Sequence, residues 1–317
     1  MLEKSAEIVD NENNFMKKII THNGKFHSDD VFAVAALGLV LGSEEFEILR
    51  TRDDEIIRSG DYVVDIGGEY DEEKNKFDHH QIGGAGEREN GIPYASFSLV
   101  WKKFGESLCG SPEMALRIDE KLAQVIDAED NGVDLVKEYA FHDVFHYTIA
   151  GVVNMFRPTW KEDEISYDKK FLEAVSLARQ ILEREIKVTQ DQVEAKDKIK
   201  EAYYITENKE LIIFGEDENY GRENVVRALV DYPEPLYAVL YRSDVLNWQV
   251  VAINKDKKTF ETRKPLPEQW RGLRDKDLAE VTDVPDAIFC HRGGFMCVAG
   301  SREGALALAK LALEVDK

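Results

Sequence analysis

Between Met16 and Gly68 the chain alternates short β-type runs with one long apolar run, and each run stops at a polar or glycine-rich segment. Met16–Thr21 (MKKIIT) predicts a first strand, Phe46–Arg50 a second and Tyr62–Ile66 (YVVDI) a third, closed by Gly67-Gly68. Val31–Leu41 predicts a helix, with Ser28 as N-cap, Asp29 and Asp30 in its first turn and Gly42 as its stop. Strand, helix, strand, helical turn, strand is the pattern of a parallel sheet covered by helices, so the expected fold class is α/β. In such sheets the loops at the carboxyl ends of the strands are where ligands bind.

That edge is rich in metal-ligating chemistry. Five of the chain's seven histidines lie in three clusters beside acids or glycines. His22, His27 and Asp29 fall in the loop between the first strand and its helix, and Asp65 ends the third strand. Phe77 can end a further short strand, after which come Asp78, His79 and His80. Mixed imidazole and carboxylate groups suit borderline-to-hard divalent ions, with no thiolate nearby to favour structural zinc. A pair of ions needs a bridging carboxylate, and an Asp on a central strand, Asp65, is the natural one. Such a pair lowers the pKa of a shared water and clamps a phosphoryl oxygen during in-line attack. Taken singly, each residue has a plain structural role. Asp29 and Asp30 favour the positive end of their helix, and for Asp30, one residue further in, that is the preferred account. Asp65-Ile66-Gly67-Gly68 reads as a strand-ending turn. The metal reading rests on the joint pattern.

A fourth acidic segment, Asp127-Ala128-Glu129-Asp130-Asn131-Gly132, ends a helix expected over Glu113–Ala128, where Asn-Gly commonly terminates helices. Asp127 or Asp130 joins the ligands only if the other three segments do. Further helices are expected at Ser96–Phe104, His142–Phe156 and in a long charged connector reaching Tyr204 that carries Phe171, Val175, Ala178 and Leu182. The rhythm then changes to short strands at Leu211–Phe214, Leu236–Tyr241, Trp248–Ile253, Ala287–Cys290 and Phe295–Ala299, with helices at Glu223–Leu229 and Glu303–Leu313. The expected domains are therefore residues 16–205 and 206–317.

The 62 acids against 41 bases give a net charge of −21, which repels phosphate backbones at long range and argues against coating duplex DNA. The one basic, proline-rich island runs from Glu261 to Arg274. Its Arg263, Lys264, Arg271 and Arg274, beside Trp270, can line a substrate cleft and stack a base; a solvated loop is the alternative. His291-Arg292-Gly293-Gly294 lies between two expected strands, where the glycines let backbone approach a ligand and Arg292 can clamp phosphate; a simple hairpin turn is the alternative. Cys109, Cys290 and Cys297 lack C-x-x-C spacing and suit a reducing compartment. Met1–Phe15 looks like neither a secretory signal nor a transit peptide, and no apolar run approaches membrane-spanning length, so the expected location is cytoplasmic, with no membrane partner.

Six separated segments, THNGKFHSDDVFAVAAL, VVDIGG, FDHHQ, DAEDNG, ETRKPLPEQWRGLR and HRGGFMCVAGSREGALALAKLAL, together resemble the melanocyte-proliferating-gene family of the DHH phosphoesterase superfamily, in order over roughly residues 20 to 313. The resemblance implies a parallel-sheet DHH catalytic domain, a smaller C-terminal α/β substrate-binding domain and an active site in the cleft between them. It implies hydrolysis of phosphoester or phosphoanhydride bonds with two divalent ions, manganese first, with magnesium or cobalt as alternatives. It assigns one ion to His22, His27 and Asp65, and the other to Asp29, Asp65, His79 and an acid of the DAEDNG segment. His80 then faces the phosphate, while Arg292 and the Gly-Gly turn hold substrate. The sequence departs from the superfamily at His27, where the more common first motif has Asp.

The leading expectation is a 3′–5′ exonuclease on short single-stranded RNA. The alternative enzyme is a pyrophosphatase or nucleotide phosphatase on small phosphorylated molecules; the net charge favours a small or short substrate over a long polymer. The alternative from another class is a non-catalytic metal-dependent binding protein.

Overall fold

The computed structural model describes residues 16–43, 45–162 and 166–315; the segment weighed for targeting signals, Met1–Phe15, lies outside them. The chain forms two compact units, Met1–Gln190 and Asp191–Lys317. Each is a mixed α/β unit with its own five-stranded sheet.

In the first unit β1 (Lys17–Thr21), β2 (Phe46–Arg50), β3 (Tyr62–Val64), β4 (Tyr70–Asp71) and β5 (Lys76–Phe77) lie in the order β2-β1-β3-β5-β4. All neighbours are parallel except the β4–β5 edge pair. Between β1 and β2 runs α1 (Ser28–Leu41), in which every residue from Ser28 to Gly38 is buried. A helix apolar all round needs cover on every side. It packs against α3 (Ser96–Cys109), where Phe32 meets Phe97 at 5.5 Å between ring centres. The residue that caps α1 is His27, one before the expected Ser28; its backbone N–H donates to Asp30 Oδ1 at 2.8 Å. A short helix, α2 (Asp54–Arg58), links β2 to β3.

Two expected helices differ in detail. The one at Glu113–Ala128 is α4 (Pro112–Ile118), a π turn at Asp119–Ala123, and α5 (Gln124–Asp130). The one at His142–Phe156 shrinks to α6 (Ile149–Asn154), because Thr148 Oγ1 accepts from Gly151 N–H and starts the helix there. The connector is α7 (Tyr167–Ile205), 39 residues. Phe171, Ala174, Ala178 and Leu182 join the first core, whereas Ala195, Ile199, Ala202 and Tyr203 join the core of the second unit. The division between the units thus falls inside this helix, and the expected 205/206 boundary coincides with its end.

The second unit has β6 (Leu211–Ile213), α8 (Arg222–Leu229), β7 (Tyr237–Arg242), β8 (Asn247–Ala252), α9 (Asp275–Thr282), β9 (Ala287–Cys290), β10 (Met296–Ala299) and α10 (Arg302–Glu314). Its sheet runs β6-β7-β8-β10-β9, with only β6 and β7 parallel. Cys109, Cys290 and Cys297 are free and buried. Among the described residues no helix is long and apolar enough to cross a membrane.

Because α1 is enclosed on all sides, Phe32→Ala opens a cavity that its neighbours cannot fill. Urea unfolding of the first unit is expected to show a loss of about 3–5 kcal/mol. A loss below ~1 kcal/mol would contradict the packing described.

Candidate metal centre

Parallel pairing in the order β1-β3-β5 sets three carboxyl ends side by side, about 4.8 Å apart from strand to strand. His22 follows β1, Asp65 follows β3, and Asp78-His79-His80 follow β5. The amino end of α1 brings Asp29 and Asp30 to the same edge, and the carboxyl end of α5 brings Asp130. Asp65 turns the chain out of β3 with φ +55°, a left-handed conformation that Asp tolerates better than most residues.

Asp65 is the hub. Its Oδ2 lies 3.2 Å from His22 Nε2, and its Oδ1 lies 3.3 Å from both His79 Nε2 and His80 Nδ1. His22 Nε2 is also 3.3 Å from Asp30 Oδ2, and His79 Nε2 is 3.3 Å from Asp130 Oδ2 and 3.8 Å from Asp29 Oδ2. Three sets of potential ligand atoms each lie within 4.8 Å of one another: His22, His27 and Asp65; Asp65, His79 and His80; and His27, Asp29 and Asp130. Asp78 stands behind them, accepting from Gly68 N–H and bonding His80 Nδ1 at 2.8 Å. A cavity of about 1010 Å³ opens on the cluster, with Lys25 and Arg52 among its lining residues.

The electrostatics divide these groups. Burial works to raise the Asp65 carboxyl, but hydrogen bonds with His22 and His79 hold it well below the usual carboxylate range. Burial and the neighbouring charges of Asp65, Asp130 and Asp30 push Asp29 well above it. Asp30 is raised by burial to about 7 against the pull of His22. The hydrogen bond to Asp78 raises His80 to about 9. Burial alone would lower His22, yet Asp65 and Asp30 raise it.

Among the described residues neither oxygen of the buried Asp29 has a hydrogen-bond partner. An isolated buried carboxylate is costly, and a cation in contact is the usual compensation. The donors around it are carboxylate oxygens and imidazole nitrogens, a set that fits a divalent ion of intermediate hardness. The chain therefore has residues suited to hold such ions.

Asp127 and Asp130 separate here. Asp130 stands in the cluster, whereas Asp127 Oδ2 binds Arg88 at 2.7 Å and belongs to none of the three ligand sets. Arg88 also binds Asp119 at 2.7 Å, so it spans the π turn and fixes α5. Sequence reasoning missed Arg88, and it gave Asp30 only a helix-end role. The Ser/Asp-rich start of α1 hid the fact that Asp30 is fully buried against His22. It also missed Arg52, whose signal was its place just past the end of β2 on the same edge, and Arg157, whose guanidinium binds Phe26 O next to His27.

The basic island is placed differently from expectation. Trp270 is 3% exposed within the second core, where no base can stack on it without repacking. Arg263 donates to the carbonyls of Tyr232, Pro235 and Val230, and Lys264 to those of Leu313 and Val315, so both serve helix ends. Arg271 Nε donates to Leu266 O at 3.0 Å, and the Arg274 guanidinium lies 4.6 Å from the Phe289 ring centre. His291-Arg292-Gly293-Gly294 is the β9–β10 hairpin turn, with Arg292 exposed. His291 Nδ1 accepts from Gly293 N–H, and Gly294 has φ +67° in close approach to Arg271.

The sequence profile of the MYG1_exonuc family, described as an uncharacterised protein family (UPF0160), matches residues 18–313. The chain belongs to this family. The match takes in both units and every residue of the metal cluster. The MYG1 exonuclease of Homo sapiens is 30% identical over 93% of this chain and 85% of its own, and that of Mus musculus 31% over 95% and 86%. A MYG1 protein of Schizosaccharomyces pombe is 30% identical over 95% and 98%. The crystal structure of RecJ in complex with Mn2+ from Thermus thermophilus has a TM-score of 0.29 at 10% identity, covering 95% of this chain and 53% of RecJ, too low to establish a shared fold. The six motifs resemble the same MYG1 family.

Two measurements follow from the electrostatics. In EDTA, Asp29→Asn removes a carboxyl whose charged form burial and the neighbouring acids disfavour, and a gain of about 1–3 kcal/mol is expected. In Mn2+ the same variant is expected to lose stabilisation by the ion; equal behaviour in both buffers would contradict the site. The second concerns pH. Asp30 holds a proton in the folded state from 3.8 up to about 7, and His80 from 6.5 up to about 9, where the unfolded chain has released it. Stability then falls as pH rises through these windows. The metal-free melting temperature is expected to drop between pH 6.5 and 9, and His80→Gln to flatten the drop. Added Mn2+ should stabilise more at higher pH, because ions compete with protons for the ligands. A metal-free melting temperature that climbs with pH would contradict the assignment.

Proposed function

We propose that the protein is a divalent-metal-dependent phosphoesterase of the DHH superfamily, acting as a 3′–5′ exonuclease on short single-stranded RNA with two metal ions. Manganese is the first candidate ion. The observation that carries the reading is Asp29, a buried carboxyl with neither oxygen hydrogen-bonded among the described residues, beside a hub aspartate shared by three imidazoles. The relatives named MYG1 exonuclease support the nuclease part. When bound, the ions supply Lewis-acid polarisation of a phosphoryl oxygen and acidification of attacking water.

The chain's own groups have distinct tasks. Asp65, kept ionised by its imidazole partners, holds negative charge at the centre where cations need it. His22, His27, Asp29, His79 and Asp130 provide the remaining nitrogen and oxygen donors. His80, 62% exposed and kept protonated by Asp78, donates to an anionic phosphate entering the cavity. Lys25 and Arg52 add positive charge on the cavity wall. Asp127 acts through Arg88 as a positioning residue. Arg292, exposed in the HRGG turn of the second unit, is a further group with the chemistry to bind phosphate.

The competing substrate class is small phosphorylated molecules. It draws on the net charge of −21, which disfavours long polyanions.

Incubation with Mn2+ and labelled single-stranded RNA, a dinucleotide panel and pyrophosphate decides between them. Stepwise release of mononucleotides from the 3′ end is expected; cleavage of pyrophosphate alone would favour the small-molecule reading. Asp65→Asn keeps the shape and suits the positive φ while removing the shared charge. Turnover is expected to fall by more than the ~10–100-fold typical of outer-shell partners. Near-normal hydrolysis by this variant would defeat the mechanism.

A further inference from the structure

The second unit carries a cavity of about 580 Å³ whose wall combines the cations Arg222 and Arg227 and the acids Glu223 and Asp256 with an apolar side that includes Val226 and Phe295. Its volume lies within the ordinary range for pockets that enclose a small organic ligand. Arg222, Val226 and Val230 recur every four residues along α8 and its end, so one helix face supplies both a cation and an apolar wall. No ion-pair partner is found for Arg222 or Arg227 among the described residues, in a chain where acids outnumber bases 62 to 41. The other cations of this wall and of the basic island are engaged: Lys257 pairs with Asp231, while Arg263 and Lys264 serve carbonyls.

The aromatic side is equally specific. The Arg222 guanidinium lies 5.2 Å from the centre of the half-buried Phe295 ring, which in turn lies 4.1 Å from the ring of His291. Phe260 stands 97% exposed at the rim, on a loop closed by the Asn254–Thr262 bridge. Arg222 and Phe295 also border an adjoining depression of about 410 Å³ with Gln249 and Arg242. Two hollows thus share one guanidinium–aromatic pair.

We propose that this pocket binds a nucleotide, its phosphate against Arg222 and Arg227 and its base against Phe295, and that the adjoining hollow takes the next nucleotide of a short single strand. Unpaired guanidinium groups recognise phosphate, apolar and aromatic walls take the flat base, and every base has a face to stack. The acidic surface elsewhere repels such a ligand, so cations held in no ion pair decide where it binds, even with Glu223 and Asp256 on the same wall. The proposal stands on the second unit alone and does not depend on hydrolysis at the metal cluster.

The test uses the full chain stripped of metal with EDTA, so that binding is read without turnover or metal-held phosphate. Adenosine 5′-monophosphate, the dinucleotide pApA and inorganic phosphate are titrated by calorimetry, with thermal melts to verify that each variant folds. Binding of both nucleotides is expected, pApA the tighter. Arg222→Gln and Phe295→Ala should each weaken it about tenfold, and Phe295→Tyr should retain it. Unchanged affinity in Arg222→Gln and Phe295→Ala, inorganic phosphate binding as tightly as the nucleotides, or no nucleotide binding by the wild type would each overturn the proposal.

Discussion

Carboxylates packed together away from water repel one another, and each loses hydration that only a cation or a donor can replace. Asp29, Asp30 and Asp65 meet that condition here: all three are buried, and Asp130 approaches through His79. The protein's own answer is partial. His22 and His79 satisfy Asp65, and His27 N–H together with His22 engages Asp30, but among the described residues none hydrogen-bonds the Asp29 carboxyl. The residual imbalance is what a divalent ion removes, and it makes folding, metal binding and proton binding one coupled equilibrium.

The fold is arranged so that this crowding occurs at one place. A parallel sheet sends successive strands out at the same edge, and the order β1-β3-β5 sets His22, Asp65 and His79 next to one another although 57 residues of sequence separate the first from the last. Burying α1 throughout anchors Asp29 and Asp30 against movement. Arg88 does the same for α5 by gripping Asp119 at the start of the π turn and Asp127 within α5. Rigid support suits a centre whose ligands must converge on points rather than adapt.

What the sequence displayed was period and ligand chemistry. The parallel sheet, the clustering of His22, His27, Asp29, Asp65 and His79 and the strand positions of the second unit follow from local apolar runs and from groups that end them. What it hid depends on tertiary distance. Asp30 looks like helix-end chemistry until His22 is seen against it. Asp127 and Asp130 are equivalent in a DAEDNG string, and only Arg88, some forty residues earlier, separates them. The island around Trp270 is basic and proline-rich, yet its cations reach carbonyls at helix ends, a use no local pattern reveals. The seven residues lost from the expected helix at 142–148 were misjudged because Thr148 as a cap outweighed apolar spacing.

The central claim is that Asp65 is the shared carboxylate of a two-cation centre. Crystals of the full chain grown with Mn2+ and measured at the manganese absorption edge test it most directly. Two anomalous peaks are expected, one beside His22 and His27 and the other beside His79, with an oxygen of Asp65 on each. A single peak, or peaks that Asp65 does not touch, would contradict the account.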